Sequence, residues 1–93
     1  MNKKTVLVTG ASRGIGKAIA FAFINAGYHV FLNCNHSITE LERVRDEIMT
    51  LPDASCDMVI GDVGNPEDVK DMFKRIYKQT DSLDVLVNNA GIA

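Results

Sequence analysis

Residues 5 to 9, Thr-Val-Leu-Val-Thr, lead directly into Gly10, and Gly14 and Gly16 follow before the next helix-like pattern begins. A β-branched, apolar run of this kind suits a strand buried on both faces of a sheet. The glycines behind it permit a sharp turn. Ile15, Ala18, Ile19, Ala22 and Phe23 then recur at helical spacing, and Gly27 follows as a stop. A strand, a glycine turn and a helix in this order leave the chain few folds. The helix must carry it back over the sheet to a parallel neighbour.

The remainder repeats that alternation. Residues 28 to 34 (YHVFLNC) read as a second strand. Ser37-Ile38-Thr39-Glu40 has the pattern of a capping box and opens a helix to about Leu51, with Leu41, Val44 and Ile48 as its inner stripe. Pro52 breaks the chain ahead of a third strand, 55 to 60 (SCDMVI). Asn65, Pro66 and Asp68 mark another helix start, with Val69, Met72, Phe73 and Ile76 on the apolar face. LDVLVNN, 83 to 89, is the fourth strand, and Ala90-Gly91 leaves it. The order βαβαβαβ implies an α/β fold with a parallel sheet and right-handed crossovers. The sequence shows no linker, repeat or low-complexity segment that would divide residues 1–93 into two domains.

Composition narrows the function classes. With 46% hydrophobic and 24% charged residues, the chain has the make-up of a soluble globular protein. A net charge of −2 offers no electrostatic footprint for nucleic acid or an anionic membrane. Its apolar runs fall well short of the ~18 residues that a bilayer span needs. The apolar stretch behind Lys3-Lys4 is interrupted by Thr9, Gly10 and Arg13, unlike a signal peptide, so a cytoplasmic location is expected. Cys34 and Cys56 lack CxxC spacing and, even with His36, fall short of a four-ligand zinc set; they read as small apolar residues on neighbouring strands. No metal site is expected.

In an open parallel sheet, ligands lie beyond the carboxyl ends of the strands where the winding reverses. The Gly10–Gly16 turn occupies that place, and the helix start behind it attracts phosphate through free N–H groups and a partial positive charge. Gly10 suits a sharp turn, Gly14 a close backbone approach, and Gly16 tight helix packing. A Walker loop is disfavoured, because the Gly10 to Gly16 spacing is one residue too long and Ala18 stands where a magnesium-binding hydroxyl belongs. The compact GxGxxG fingerprint fails as well, and a ligand-free glycine turn stays open as the bland reading. At the end of the second strand, Asn33-Cys34-Asn35-His36 contains no acid to hold a ribose 2′-hydroxyl. Ser12 and Arg13 in the turn can instead meet a 2′-phosphate, which argues for NADP(H) over NAD(H) unless Arg13 is a plain solvated charge. Asp62-Val63 after the third strand can flank an adenine, or can simply shape a loop. Asn88-Asn89-Ala90-Gly91 can let a cofactor ribose approach, and a polar turn explains it equally well.

Taken together, Thr9-Gly10-Ala11-Ser12-Arg13-Gly14-Ile15-Gly16, Asp62-Val63 and Asn88-Asn89-Ala90-Gly91 resemble the short-chain dehydrogenase/reductase family. The wording TGASRGIG with LDVLVNNAGI is most similar to its 3-oxoacyl-[acyl-carrier-protein] reductases, enzymes of fatty acid biosynthesis. The resemblance covers the whole chain but only the first part of a family member. It implies a Rossmann-like doubly wound sheet, here its first βαβαβαβ part in strand order 3-2-1-4. It also implies an NADP(H)-dependent oxidoreductase that reduces a small-molecule or acyl-carrier-bound carbonyl and forms homo-oligomers. Gly10, Ser12, Arg13, Gly14, Ile15 and Gly16 would hold the cofactor phosphates. Asp62 and Val63 would flank adenine, and Asn89, Ala90 and Gly91 would line the ribose. Asn33 would replace the acid of NAD-preferring members, while Thr9 and Asn88 would brace the turn.

The family's catalytic serine and Tyr-x-x-x-Lys lie downstream of NNAG and are missing from these 93 residues. Tyr28 is followed four positions on by Leu32, and Tyr77 by Asp81, so neither forms the motif. No catalytic residue is therefore assigned, and the chain alone is expected to be inactive. The alternative is a catalytically dead, truncated NADP-binding module that self-associates through an open apolar edge at residues 85 to 87. A response-regulator-like module is disfavoured, since the first strand does not end in an acidic cluster.

Overall fold

The computed structural model describes residues 3–90. Four strands and three helices alternate: β1 (Thr5–Val8), α1 (Gly14–Asn25), β2 (His29–Cys34), α2 (Ile38–Ile48), β3 (Ser55–Ile60), α3 (Pro66–Tyr77) and β4 (Val85–Val87). All pair in parallel, in the order β3-β2-β1-β4. The order reverses between β1 and β4, as expected, and that places the switch point beyond the ends of these two strands.

Side-chain alternation along the central strands builds a core on each face of the sheet. Val6, Val8, Val30, Leu32 and Cys34 pack with Ala20 and Ile24 of α1 and with Leu41, Val44 and Ile48 of α2. Leu7, Phe31 and Val59 pack on the other face with Met72 and Ile76 of α3. Every residue of β1 and β2 is buried, whereas β3 and β4 form the edges and are only partly covered.

Three local expectations need correction. The inner face of α1 is Gly16, Ala20 and Ile24, flanked by the partly buried Ile19 and Phe23; Ile15, Ala18 and Ala22 face solvent. This helix is apolar on most sides, so periodicity alone does not find the seam. The seam goes to the small residues that let the helix approach the sheet closely. The capping box is not made either. Ser37 occupies the N-cap of α2 without a side-chain cap, and its hydroxyl lies 2.8 Å from that of Ser12. By contrast, Asn65 caps α3 as expected, accepting from the N–H groups of Glu67 and Asp68 at 2.9 and 3.2 Å.

The third correction shortens the fourth strand to three residues. Before it, Asp84 turns its carboxylate onto the N–H of Thr5 at 2.8 Å. After it, Asn89 and Ala90 donate to the Thr9 hydroxyl at 2.8 and 2.9 Å instead of continuing the ladder. Side chains thus end both flanks of the strand.

At the opposite end of the sheet from the switch point, His29 is buried between Ser55 and Asp57 of β3. Its Nδ1 lies 2.9 Å from the Ser55 hydroxyl and its Nε2 3.0 Å from the Asp57 carboxylate. Burial lowers the His29 pKa below its ordinary 6.5, outweighing the Asp57 carboxylate that raises it. The folded protein therefore takes up this proton later than the unfolded chain does. Stability from His29 is present above pH 6.5 and is lost as the pH falls below it. A urea midpoint that declines on acidification from pH 7.5 to 5.5, with a shallower decline in His29→Gln, is the expected outcome. Equal declines in both proteins would show that other groups govern acid sensitivity.

Candidate functional site

The carboxyl ends of the four strands open onto a cleft of about 900 Å³. Three loops and the end of β4 form its walls: the Gly10–Gly14 turn, residues 33 to 37, residues 61 to 64 and residues 88 to 90. The sequence-predicted residues Gly10, Ser12, Arg13, Gly14, Ile15, Asn33, Asp62, Val63, Asn89 and Ala90 all border it. Gly16 lies just beneath, and Gly91 falls outside the described residues.

The glycines have separate duties. Gly10 turns with φ +62°, and a Cβ there would meet the Asn89 amide at 3.1 Å and the Ala90 Cα at 3.2 Å. A Cβ on Gly16 would drive into the carbonyl of Gly10 and come within 2.6 Å of the Asn89 amide nitrogen. Its close contact is therefore with the turn and the end of β4, more than with a strand. Gly14 has φ +58° and open space where its Cβ would lie, so only its backbone conformation demands glycine.

Electrostatics distinguish the two ends of interest. The first turn of α3 is satisfied by Asn65 and carries Glu67 and Asp68. The first turn of α1 has no acidic residue, and Arg13 at its N-cap makes no side-chain cap. Its positive end thus remains available to an anion in the cleft. Arg13 adds an exposed cation there: its side chain is 82% exposed, and among the described residues it pairs with Glu40 at 3.7 Å.

The other residues divide between lining and bracing. The Asn33 amide is buried and donates to the carbonyls of Val59 and Gly61 at 2.9 and 3.1 Å. It stitches β2 to the loop after β3, so what it offers the cleft is a neutral strand end in place of a carboxylate. Asp62 accepts from the N–H of Gly64 at 2.8 Å, and its own N–H donates to Asp68 at 2.9 Å. One carboxylate oxygen therefore shapes the loop. Thr9 takes the N–H groups of Asn89 and Ala90, and Asn89 donates to the Gly10 carbonyl at 3.2 Å. These bonds tie the glycine turn to the end of β4. Burial also pushes the Cys34 thiol up, which leaves it neutral beside the cleft.

Sequence reasoning missed Asn35, His36 and Ser37 as cleft residues. Their position at the end of a central strand was the available signal. Ser37 instead drew attention as a cap and His36 as a candidate metal ligand.

A parallel sheet with a phosphate-ready helix start at its switch point defines a dinucleotide-binding type of fold. A family model described as short chain dehydrogenase matches residues 4–93, and the chain belongs to that family. It is 44% identical over 89 residues to the 3-oxoacyl-[acyl-carrier-protein] reductase FabG of Staphylococcus epidermidis, covering 96% of this chain and 36% of that protein. The NADPH-dependent reductase BacG of Bacillus subtilis is 36% identical over 90 residues, covering 96% of this chain and 34% of that protein. Among solved structures, YwfH, an NADPH-dependent reductase involved in bacilysin biosynthesis, superposes with a TM-score of 0.86 at 34% identity. That match covers 95% of this chain and 37% of YwfH. An alcohol dehydrogenase from Thermococcus sibiricus complexed with 5-hydroxy-NADP gives 0.81 at 34% identity, over 89% of this chain and 35% of that one. The chain therefore spans little more than a third of the length of these relatives.

If the turn depends on the Gly10–Gly16 contact, Gly16→Ala is expected to destabilise the fold by about 1–3 kcal/mol, the usual cost of an overpacked site. Thr9→Val, which strands two N–H groups, is expected to cost about as much. Denaturant unfolding checks both, and a loss under half a kcal/mol would show that the turn relaxes freely.

Proposed function

We propose that this chain is the cofactor-binding segment of an NADP(H)-dependent oxidoreductase that reduces carbonyl compounds, with 3-oxoacyl-[acyl-carrier-protein] thioesters as the substrate class. The observation that carries the cofactor assignment is the open start of α1 over the cleft, joined by Arg13 and by a β2 end without a carboxylate. A cofactor phosphate fits there because free N–H groups and a cation converge on space that Gly14 leaves open. The named relatives that are NADPH-dependent or bound to an NADP derivative support the same reading. Identity to 3-oxoacyl-[acyl-carrier-protein] reductases supports the substrate class.

In this reading the backbone of Gly10 to Gly16 holds the pyrophosphate, and Ser12 and Arg13 take the 2′-phosphate. Asp62 and Val63 flank adenine, and Asn89, Ala90 and Gly91 border the ribose. When bound, the nicotinamide supplies a hydride. The chain's own residues anchor and orient the adenosine end, while the serine and Tyr-x-x-x-Lys of the family are not among its 93 residues. The chain alone is thus expected to bind without reducing.

Calorimetric titration is expected to show NADPH binding more tightly than NADH. Arg13→Ala should weaken NADPH by roughly 1–2 kcal/mol, near the lower end for a charge-assisted contact because the side chain is exposed, and leave NADH unchanged. Equal losses for both cofactors would refute the Arg13 assignment, and no NADPH binding at millimolar concentration would refute the cofactor. Coding sequence that continues beyond Ala93 into Ser…Tyr-x-x-x-Lys supports the enzyme reading, and a stop codon directly after Ala93 overturns it for this chain.

A second reading, an inactive NADP(H)-binding module that pairs with another copy, draws on the β4 edge. Leu86 is 55% exposed on an unpaired parallel edge beside a small apolar cavity lined by Leu7, Val63, Val69, Met72 and Phe73. Sedimentation of a concentration-dependent dimer that Leu86→Lys disperses would favour it. A clean monomer at high concentration would count against it.

A further inference from the structure

We propose that Ser55 is an activated nucleophile, with His29 as its base and Asp57 as the positioning residue, and that it accepts the acyl group of small activated esters. The site lies at the amino end of the sheet and is independent of the NADP(H) reading. The parallel register sets His29 of β2 beside Ser55 of β3, and Asp57 follows two residues on, on the same face. The Ser55 hydroxyl lies 2.9 Å from His29 Nδ1, and His29 Nε2 lies 3.0 Å from an Asp57 carboxylate oxygen. The Lys3 ammonium donates to Ser55 Oγ at 3.3 Å and also to the Asp53 carbonyl.

Each hydrogen in this cluster has one consistent place. A carboxylate only accepts, so Asp57 fixes the hydrogen of the neutral ring on Nε2. Nδ1 is then an acceptor, and the Ser55 O–H donates to it. A lone pair of the same oxygen receives the Lys3 N–H. The order of ammonium, hydroxyl, imidazole and carboxylate is that of a serine nucleophile with its base and orienting acid, here with the two ring nitrogens in exchanged roles. His29 is buried, and Phe31 meets its ring edge-on with centroids 4.8 Å apart, which holds the base in place. Ser55 and Asp57 stand on an edge strand and remain partly exposed, so an ester can reach the hydroxyl.

The base is neutral, and so ready, at pH 7. Burial lowers the His29 pKa below its ordinary 6.5, with Asp57 raising it and Lys3 lowering it. Beside it β1 contributes Thr5, whose hydroxyl bonds Asp84 at 3.3 Å. On this face α3 turns Arg75 to Asp71 and to the Ile60 carbonyl at the far end of β3. In the step itself, Ser55 Oγ bonds to the ester carbonyl carbon while its proton passes to His29 Nδ1. The bond from that carbon to the alcohol oxygen breaks, and the alcohol leaves with the proton. Acyl-Ser55 remains. Water that gives a proton to the same nitrogen then attacks the acyl carbon, which releases the acid and restores the hydroxyl.

The test treats the whole chain and its Ser55→Ala, His29→Gln and Asp57→Asn variants with p-nitrophenyl acetate, reading p-nitrophenolate release and, by peptide mapping, the acetylated residue. The expected result is acetyl on Ser55, or release beyond one equivalent, that Ser55→Ala abolishes. His29→Gln and Asp57→Asn should each slow this Ser55-dependent rate by about 100-fold, the lower end of what a positioned base contributes. Asn in place of Asp57 offers an N–H to Nε2 and so favours the ring with its hydrogen on Nδ1. In the wild type the Ser55-dependent rate should be level from pH 8.5 to 7 and fall below pH 6.5, as His29 takes up a proton. That profile decides the role of the base even where His29→Gln folds poorly. Matching thermal melts of Ser55→Ala, Asp57→Asn and the wild type show that folding is not the cause. Acetyl on lysines alone with release unchanged in Ser55→Ala, an undiminished rate in Asp57→Asn, or a Ser55-dependent rate still climbing above pH 8 overturns the proposal.

Discussion

The molecule depends on a clasp between its two halves in sequence, the first strand's turn and the last strand's end. Gly16 seats the start of α1 against the Gly10 carbonyl, with no room for a methyl group. Asn89 donates to that same carbonyl, and Thr9 collects the N–H groups of Asn89 and Ala90. These hydrogen bonds link residues about 80 positions apart and hold three backbone groups in fixed relation. Without them nothing would fix the start of α1 against the end of β4.

That clasp also explains the division of polar work at the strand ends. The start of α3 is closed by Asn65 and carries Glu67 and Asp68, and the Asp62 loop is closed by its own carboxylate, which accepts from the Gly64 N–H. The start of α1 is left without an acid or a side-chain cap. One helix spends its polar residues on itself, and the other leaves its first N–H groups without a side-chain cap. Buried polar side chains nearby, such as Asn33, satisfy carbonyls of neighbouring segments and hold the cleft's shape.

Much of this was legible in the chain. The βαβαβαβ order, the parallel sheet, the α2 and α3 inner stripes and the Asn65 cap follow from period, apolar runs and turn residues. The site was legible as a set of strand-end loops, because topology alone brings those ends together. The α1 seam was misread because Ile15, Ala18 and Ala22 share helical spacing with residues that are inside. Helix approach distance, set by Gly16 and Ala20, chose between the faces. Ser37 was misread because a hydroxyl before a helix suits a cap and a tertiary partner equally. Ser12, 25 residues earlier, took it.

The sequence by itself determined the alternation of strand and helix, the glycine turn that invites a phosphate, and the lack of an acid at the end of β2. Each is a local matter of side-chain size, backbone freedom or charge. Only the tertiary structure decided that Thr9 and Asn89 would lock the turn, that Asn33 would face carbonyls, and that Ser37 would meet Ser12. Those outcomes rest on hydrogen bonds and contacts between residues far apart in the chain. The sheet must form before such groups can meet.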